Sequence, residues 1–430
     1  MKILVISGEV WQDKTNGGNV LTNMFRNSDW EFAQIYCNPG MPENNICKKY
    51  YQMTDSMVIR NFILHRPIGK YFVFDASKQD NTKEVNKIEM PNKNFYKFFR
   101  SHRLGIFYFI KHRLWNISNW NNNNLKKFLD EYAPDIIFAP CYGDKFMLRL
   151  TRFVGDYTGK KIISYVSDDV YTLKQFNLSP FFWLDRFSVR NQLRKTISYY
   201  SLIYTMTDAQ KRQFECDFNA NMKILRKSTP YFLEEKEKKI NNPLRLVYAG
   251  GIYLNRWKTL KILTDVIKEI NKGGVKIILD IYTANEITKK INKALNDGVN
   301  SFIHAAVSQK ELQIIYQNCD IALHVESFDI KNKLLVRMSF STKIIDCLSS
   351  GCAVMAICDE KQGGIDYLKK EEAAICISDL NDIYKKLIEI VEDNEIVYKY
   401  KKRAKECCLR NHDVNQIEDM IKKDFESLVN

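Results

Sequence analysis

The sequence has no apolar run close to the ~18–20 residues that a membrane-spanning helix needs. Its first residues, Met1–Gly8, are too short for a signal peptide and predict a buried first strand. The 11 cysteines are odd in number and contain no CxxC pair, which argues against a disulfide framework or a zinc site and favours a reducing, cytoplasmic setting. No GxGxxG follows the opening strand of either half, so a nicotinamide-dependent oxidoreductase is the least favoured enzyme class.

Positive charge is in excess. Lys and Arg number 65 against 51 Asp and Glu, a formal net charge of +14, which favours nucleic acid, an anionic membrane face or phosphorylated substrates as partners. No helix-turn-helix, finger or RNA-binding pattern is present, so specific nucleic-acid recognition is not predicted. The length of 430 residues and the 45% hydrophobic content predict a globular protein with two domains.

Apolar strands alternate with amphipathic helices in both halves, which predicts an α/β protein with two doubly wound parallel sheets and a ligand cleft at the strand ends. A charged stretch, Glu234–Lys239, runs into Asn241-Asn242-Pro243 and predicts a linker. The strands predicted before it are Lys2–Ser7, Phe32–Cys37, Asp135–Ala139, Lys161–Val166 and Leu202–Thr205. The elements predicted after it are strands Leu244–Ala249, Val275–Tyr282, Ser301–Ala305 and Asp320–Val325, with helices Thr259–Asn271, Ala284–Asn296, Lys310–Asn318 and Thr342–Ser350.

The stretch Ser339–Ile357 predicts a short helix that opens with hydroxyl residues, ends at Gly351 and leads into a buried strand. Ser341 and Thr342 can cap the first turn, and Lys343 places a cation beside them, so the helix start suits a phosphate. Asp346, about one turn on, can accept hydrogen bonds from two ribose hydroxyls. Together these features indicate a nucleotide diphosphate site. The alternative is an ordinary capped helix packed on a sheet.

The same stretch resembles the donor-binding helix of GT-B glycosyltransferases, in particular the retaining family four of the surface-polysaccharide type. The family's Ser/Thr-Lys pair falls on Thr342-Lys343, its ribose-binding acid on Asp346 and its helix-ending glycine on Gly351. One position departs. Many members carry two glutamates separated by seven residues, and the first of them falls at Met338, which cannot take that role.

The resemblance implies two Rossmann-like domains facing a cleft, at 1–238 for the acceptor and 244–410 for the nucleotide sugar, with 411–430 crossing back to the first domain. It implies transfer of a sugar from a UDP- or GDP-linked donor to a glycan or lipid-linked glycan, with retention, and with no cofactor or metal. Thr342, Lys343 and Arg256 would stabilise the departing diphosphate.

Further donor contacts are expected where Gly250-Gly251 end a strand. Glycines let a ligand approach the backbone, and a nearby cation can neutralise a diphosphate. The family's phosphate cations map onto Arg256 and Lys258, although Arg256 can equally be a solvated loop residue. In the loop before the donor helix, Glu326 can accept from sugar hydroxyls and Arg337 can meet the diphosphate. His324 is expected to be buried and bonded to backbone.

In the first half, Gly17-Gly18 lie in a predicted loop after the first strand, where backbone N–H groups of the family contact phosphates. A plain turn is the alternative. Asp168, at the end of a strand in Ser167-Asp168-Asp169, can orient or deprotonate an acceptor hydroxyl. The paired carboxylates can instead cap a helix.

The segment Asn94–Trp115 interleaves aromatic and basic residues, as interfacial membrane-binding surfaces do. It predicts peripheral contact with the inner face of the cytoplasmic membrane, and a core helix with a basic outer face is the alternative. Three other functions stay open: a sugar-nucleotide epimerase, an inactive partner of another transferase, and a basic nucleic-acid-binding protein.

Overall fold

The computed structural model describes residues 1–13, 16–74, 88–90, 105–229 and 239–429. Within them lie two sheets, one of eight strands and one of six, each covered by helices. The predicted fold class, α/β with two doubly wound parallel sheets, is confirmed. The predicted linker at 234–239 and the first domain boundary fall mostly outside the described residues.

The N-terminal sheet has the strand order β4-β3-β2-β1-β5-β6-β7-β8, and only the β3–β4 pair is antiparallel. Its inner strands are continuous apolar runs because helices cover both faces of the sheet. Its strands are β1 (Lys2–Ser7), β2 (Glu31–Tyr36), β3 (Lys49–Gln52), β4 (Lys70–Val73), β5 (Ile136–Pro140), β6 (Ile162–Val166), β7 (Tyr200–Thr205) and β8 (Met222–Ile224). Its helices are α1 (Asn16–Phe25), α2 (Asp55–Leu64), α3 (Gly105–Ile117), α4 (Asn123–Tyr132), α5 (Lys145–Thr158), α6 (Pro180–Thr196) and α7 (Asp208–Phe218).

The C-terminal sheet is parallel throughout, in the order β11-β10-β9-β12-β13-β14. Its strands are β9 (Leu244–Ala249), β10 (Ile277–Thr283), β11 (Ser301–Ala305), β12 (Ile321–Val325), β13 (Ala353–Ile357) and β14 (Ile375–Ile377). Its helices are α8 (Arg256–Ile270), α9 (Lys289–Leu295), α10 (Gln309–Gln317), α11 (Ile330–Leu335), α12 (Lys343–Leu348), α13 (Gly363–Lys370), α14 (Ile383–Glu392) and α15 (Glu395–Asn411), followed by α16 (Val414–Val429).

In each sheet the chain first adds strands towards one edge and then returns to the centre to add strands towards the other edge. The reversal lies between β1 and β5 in the first sheet and between β9 and β12 in the second. Crevices at such switch points, outside the carboxyl ends of the strands, are where doubly wound sheets bind ligands. The sequence prediction missed β3, β4, β8 and β14. These strands are short and lie at or next to the sheet edges, so they lack the long apolar runs that mark central strands.

The last helix, α16, packs against the N-terminal sheet rather than against the C-terminal sheet that precedes it. Phe425 is fully buried, with its ring 5.8 Å from Phe25, 5.2 Å from Trp30 and 6.1 Å from Phe138. The Tyr204 hydroxyl on β7 donates to Asp424 at 2.8 Å. The end of the chain therefore ties the two halves together. No helix in the described ranges combines the length and apolar character that crossing a bilayer requires.

His412 sits at the corner between α15 and α16 and touches both halves. Its Nδ1 lies 3.0 Å from the Lys227 carbonyl oxygen, and its Nε2 lies 2.9 Å from the Tyr367 hydroxyl. A carbonyl can only accept, so Nδ1 carries the proton and Nε2 accepts from Tyr367. Burial lowers the pKa of His412 to about 4. The native corner therefore holds a neutral imidazole.

This corner makes the protein sensitive to acid. Unfolded histidine binds a proton near pH 6.5, while folded His412 resists protonation down to about pH 4, so unfolding takes up a proton as pH falls between these values. The free energy of unfolding should therefore fall as pH falls through this window, by about 1.4 kcal/mol per pH unit because of His412 alone. We expect His412→Gln to abolish this contribution to the slope. Urea unfolding at several pH values measures it. Exposed His65→Asn is the control, and an unchanged slope in His412→Gln would contradict the assignment.

Candidate functional site

A cleft of about 840 Å³ lies between the two halves. The N-terminal wall comes from residues at or just after the carboxyl ends of β1, β2, β5 and β6, together with Asp55 of α2 and Lys111 of α3. The C-terminal wall comes from the end of β12 and from the segments that follow β9, β12 and β13. The polar residues on the N-terminal side include Glu9, Tyr142, Asp144, Tyr165 and Asp168, and those on the C-terminal side include Arg256, His324, Glu326, Ser341, Thr342, Lys343 and Gln362. The topology therefore brings the two switch points to one cavity, as the sequence predicts.

Lys343, the first residue of α12, lies against Gly250 at the end of β9. A Cβ atom on Gly250 would collide with the end of the Lys343 side chain, so glycine is what leaves room for the ammonium. Burial, followed by the charge of Arg256, lowers the pKa of Lys343. Among the described residues, Lys343 has no hydrogen bond or ion pair. The negative charges of Glu326 and Asp346 act on Lys343, but neither forms an ion pair with its ammonium. A half-buried cation without an ion-pair partner in a cleft favours an anionic ligand.

Ser341 and Thr342 line the cleft, but they do not cap α12, so this part of the prediction is wrong. Thr342 is the cap residue, with φ −60° and ψ −19°, and its side chain makes no capping bond. Side-chain capping needs extended backbone, whereas Thr342 is already helical. The backbone carbonyls of Ser341 and Thr342 accept the first helix bonds, at 3.0 Å and 3.1 Å. Neither hydroxyl is used by the helix itself.

Arg256 and Glu326, predicted to act separately, form one buried pair. The guanidinium donates from Nε to Oε2 at 2.8 Å and from Nη2 to Oε1 at 2.7 Å. Burial by itself lowers the pKa of Arg256, but the bonds to Glu326 raise it above its ordinary value. Glu326 is therefore committed to holding Arg256 in place, and the pair lines the cleft beside Lys343.

Asp346 lies one turn into α12, with its side chain 47% exposed. Desolvation of the carboxylate by the surrounding protein raises the pKa of Asp346, and the positive charges of Lys227 and Lys343 oppose that rise. The Lys227 ammonium reaches it from the N-terminal half, with 3.8 Å between Nζ and Oδ1. Sequence reasoning did not single out Lys227, because the contact depends on how the halves close.

Arg337 does not point at the predicted phosphate seat. Its Nη2 donates to Asp169 Oδ2 at 3.1 Å and to Thr172 Oγ1 at 3.2 Å, on the N-terminal half. Asp169 also accepts from Arg186 at 2.9 Å, and its side chain is 1% exposed. It caps a turn by accepting from the Thr172 N–H, not a helix. Arg337 therefore joins the two halves, and this replaces the role predicted for it.

Asp168, next to it, does line the cleft. Its Oδ1 accepts from the Ser339 hydroxyl of the opposite half at 2.6 Å. His324 is buried as expected and borders the cleft, where burial lowers its pKa to about 4, so it is neutral at pH 7.

Met338, the position at which the sequence departs from the family's glutamate, is buried, and its carbonyl accepts from the Thr207 hydroxyl at 2.9 Å. This position therefore contributes to the contact between the halves.

Four predicted donor residues lie differently from expectation. Gly17 and Gly18 fall in the first turn of α1 rather than in a loop, and Gly8 and Glu9 instead follow β1 into the cleft. Lys258 is exposed, lies 6.0 Å from the Trp257 ring and is absent from the cleft wall. Gly251 shapes the turn after β9, because a Cβ there would meet Tyr253.

Most of the basic-aromatic segment, 94–104, lies outside the described residues. In the part described, Lys111 faces the cleft and pairs with Asp55 at 3.1 Å. Trp115 is 1% exposed and donates to Asp55 at 2.7 Å. These two residues therefore belong to the wall of the cleft and not to an outward membrane surface, which corrects that part of the expectation.

Residues 271–421 match a family model described as glycosyl transferase-like. No curated protein sequence matches the chain. Among solved structures, Anabaena HepE resembles the chain in complex with UDP (TM-score 0.63, 11% identity, 100% of both chains) and with UDP-glucose (TM-score 0.60, 12% identity, 100% of both). An alpha,alpha-trehalose-phosphate synthase (UDP-forming) from Burkholderia vietnamiensis also resembles it (TM-score 0.57, 12% identity, 99% of this chain and 100% of that one). The chain has the GT-B fold.

The buried Arg256–Glu326 pair yields a stability prediction. Glu326→Gln leaves the guanidinium buried without a counter-charge, so we expect a loss of about 3 kcal/mol in unfolding free energy. The control is Asp265→Asn, which breaks the exposed Lys261–Asp265 pair and should cost less than about 1 kcal/mol. Equilibrium urea unfolding compares them. Equal losses in the two variants would show that the pair is not desolvated as the structure has it.

Proposed function

We propose that this protein is a GT-B glycosyltransferase that moves a sugar from a UDP- or GDP-linked donor to a hydroxyl of a glycan or lipid-linked glycan in surface-polysaccharide synthesis. One observation carries the proposal. The unpartnered Lys343 ammonium rests on Gly250, next to the Ser341 and Thr342 hydroxyls, in the cleft between two doubly wound sheets. The match of 271–421 to a glycosyl transferase-like family and the UDP in the HepE complexes support it.

In this proposal the diphosphate of the donor lies beside Lys343, and the ribose reaches Asp346. Burial makes the unliganded ammonium unfavourable, so an incoming phosphate would supply the ion-pair partner that Lys343 lacks. Negative charge grows on the diphosphate as the sugar departs. Lys343, with Arg256 held rigid by Glu326, therefore stabilises the transition state more than the ground state.

The acceptor hydroxyl would lie on the opposite wall, with Asp168 to orient or deprotonate it. Retention of anomeric configuration rests on the family resemblance. In this proposal Lys343 and Arg256 neutralise the departing diphosphate, as a metal ion does in other transferases. Transfer is therefore expected to persist in the presence of a chelator. A sugar-nucleotide epimerase would change the donor when no acceptor is present, an inactive partner would bind donor without turnover, and a nucleic-acid-binding protein would respond to salt rather than to nucleotide identity.

We expect Lys343→Ala to lower the rate of sugar transfer about 100-fold, the typical loss of one electrostatic stabiliser. A panel of nucleotides screened by thermal shift first identifies the base, because a ligand bound to the native state raises the melting temperature. Transfer from the matching nucleotide sugar is then measured by release of the nucleotide. Lys258→Ala, an exposed lysine outside the cleft, is the control and should transfer normally.

A second variant removes no charge. Gly250→Ala should displace the Lys343 ammonium and weaken nucleotide binding with little loss of stability, because the colliding atoms are the end of a flexible side chain. Gly273→Ala, where a Cβ meets nothing within 4 Å, is its match. Normal transfer by both Lys343→Ala and Gly250→Ala would contradict the role given to Lys343.

We also propose peripheral contact with an anionic membrane on the side where α6 lies. Phe181, Leu184 and Phe187 of α6 are 59%, 67% and 54% exposed, and Leu178 just before it is 88% exposed. Helix α3, into which the basic-aromatic segment leads, lies beside α6, since His112 and Asp185 approach to 4.0 Å. The exposed apolar side chains of α6 would enter a lipid surface, and the basic residues that the sequence analysis assigned to membrane contact precede α3 in the chain.

Neutralising Arg100 and Arg103 should weaken vesicle binding about 30-fold, because each cation near an anionic surface contributes about 1 kcal/mol. Replacing Phe181 and Leu184 by serine should weaken it as well. Co-sedimentation with phosphatidylglycerol-containing vesicles measures both, and added salt should reduce binding. Exposed Ile314→Ser on α10 is the control. Equal binding of all variants, or equal binding to neutral vesicles, would exclude this surface.

A further inference from the structure

The two walls of the cleft carry opposite chemistry. On the N-terminal wall, the described residues place four carboxylates, Glu9, Asp55, Asp144 and Asp168, against a single ammonium, Lys111. The pKa of Lys111 is raised despite its burial, because Asp55 and Asp144 both act on it. The C-terminal wall carries Lys343 and the paired Arg256 instead. In a protein with a net charge of +14, this acidic wall is a local exception.

A buried polar atom on the same wall has no partner. Tyr165, on β6, is 4% exposed, and its hydroxyl makes no hydrogen bond to any described residue. The side chain borders the cleft, where burial, followed by the charges of Tyr142 and Asp168, raises its pKa. A buried hydroxyl left unpaired is costly. Because Tyr165 is one of the residues that line the cleft, a ligand bound there can supply the missing partner.

Tyr142 adds an aromatic surface to this group. It follows β5, lines the cleft and is 44% exposed. Burial, followed by the charge of Glu9, raises the pKa of Tyr142, and both residues line the cleft. Asp55, Asp144 and Asp168 already hold protein partners, so Glu9 is the carboxylate of this wall that has no hydrogen bond to a described residue. A carboxylate that can accept from hydroxyls, an aromatic face for C–H groups and an unpaired phenol together suit a sugar ring.

From these contacts we infer that the N-terminal wall binds an uncharged, hydroxyl-rich sugar, with the Tyr165 hydroxyl as one of its hydrogen-bond partners, and that it rejects acceptors carrying phosphate at this end. The inference rests on the proposed function, since it names the class of acceptor. A phosphate on this wall would face several carboxylates, and the one ammonium there is already paired with Asp55 at 3.1 Å. The glycan end that enters the site is therefore neutral.

The test uses the full chain and saturation-transfer NMR with glucose, galactose, mannose and N-acetylglucosamine as neutral probes and glucose 6-phosphate as the charged one, with and without UDP. We expect at least one neutral sugar to bind at least fivefold more tightly than glucose 6-phosphate. Tyr165→Phe should weaken that binding about tenfold while leaving the UDP-induced thermal shift unchanged. Since the hydroxyl is unpaired in the free protein, Tyr165→Phe should not lower stability, which separates a ligand contact from a structural role.

A charge reversal gives an independent readout. Glu9→Lys should improve glucose 6-phosphate binding at least fivefold relative to the neutral sugar, whereas Glu392→Lys, at an exposed site on α14, should change neither. Tighter binding of glucose 6-phosphate to the unaltered protein overturns the inference. So does the absence of neutral-sugar binding while UDP still raises the melting temperature. Neutral-sugar binding without any nucleotide response would instead overturn the proposed function and leave this inference standing.

Discussion

The cleft depends on one buried carboxylate. Asp169, just beyond β6, accepts from Arg186 of its own half and from Arg337 of the other, and its side chain is almost fully buried. Arg337 lies in the loop that leads to α12, so this contact sets the distance between Lys343 and the N-terminal wall. Neighbouring contacts from Ser339 to Asp168 and from Thr207 to the Met338 carbonyl reinforce it. Separating the halves would expose Asp169 to the loss of one of its two guanidinium partners and would leave the Arg337 guanidinium without its carboxylate, so this contact favours the closed arrangement.

With the halves held in this way, the two walls of the cleft carry different charges, and the proposed function gives each wall a different role. Cations stand where a leaving group would gather negative charge, and carboxylates stand where hydroxyl groups would need orientation. Arg256 is kept in place by Glu326, so among the described lysines and arginines of the cleft only Lys343 is left without an ion-pair partner. Such a site is electrostatically prepared before any ligand arrives, and prepared charges need little reorganisation during reaction.

The end of the chain also connects the two halves, because the last helix follows the C-terminal half in sequence and packs against the N-terminal sheet. Helix α16 returns to the N-terminal sheet through Phe425, and His412 at its start is bonded to backbone of one half and a side chain of the other. The Lys227–Asp346 contact lies in the same region. Any movement that opens the cleft must therefore act on contacts that extend from the cleft wall to the end of the chain.

By itself, the sequence determined the two sheets and the motif. Central strands are long apolar runs, and the order Ser341, Thr342, Lys343 and Asp346 along the chain is local, so Leu244–Ala249, Ser301–Ala305 and the start of α12 were predictable within a residue or so. Only the tertiary structure decided what the charged side chains bind. Arg337 is 168 positions from Asp169, and Arg256 is 70 positions from Glu326. A buried charged side chain pairs with an opposite charge that the tertiary structure places beside it. Because that partner is distant in sequence, no local sequence pattern identifies it.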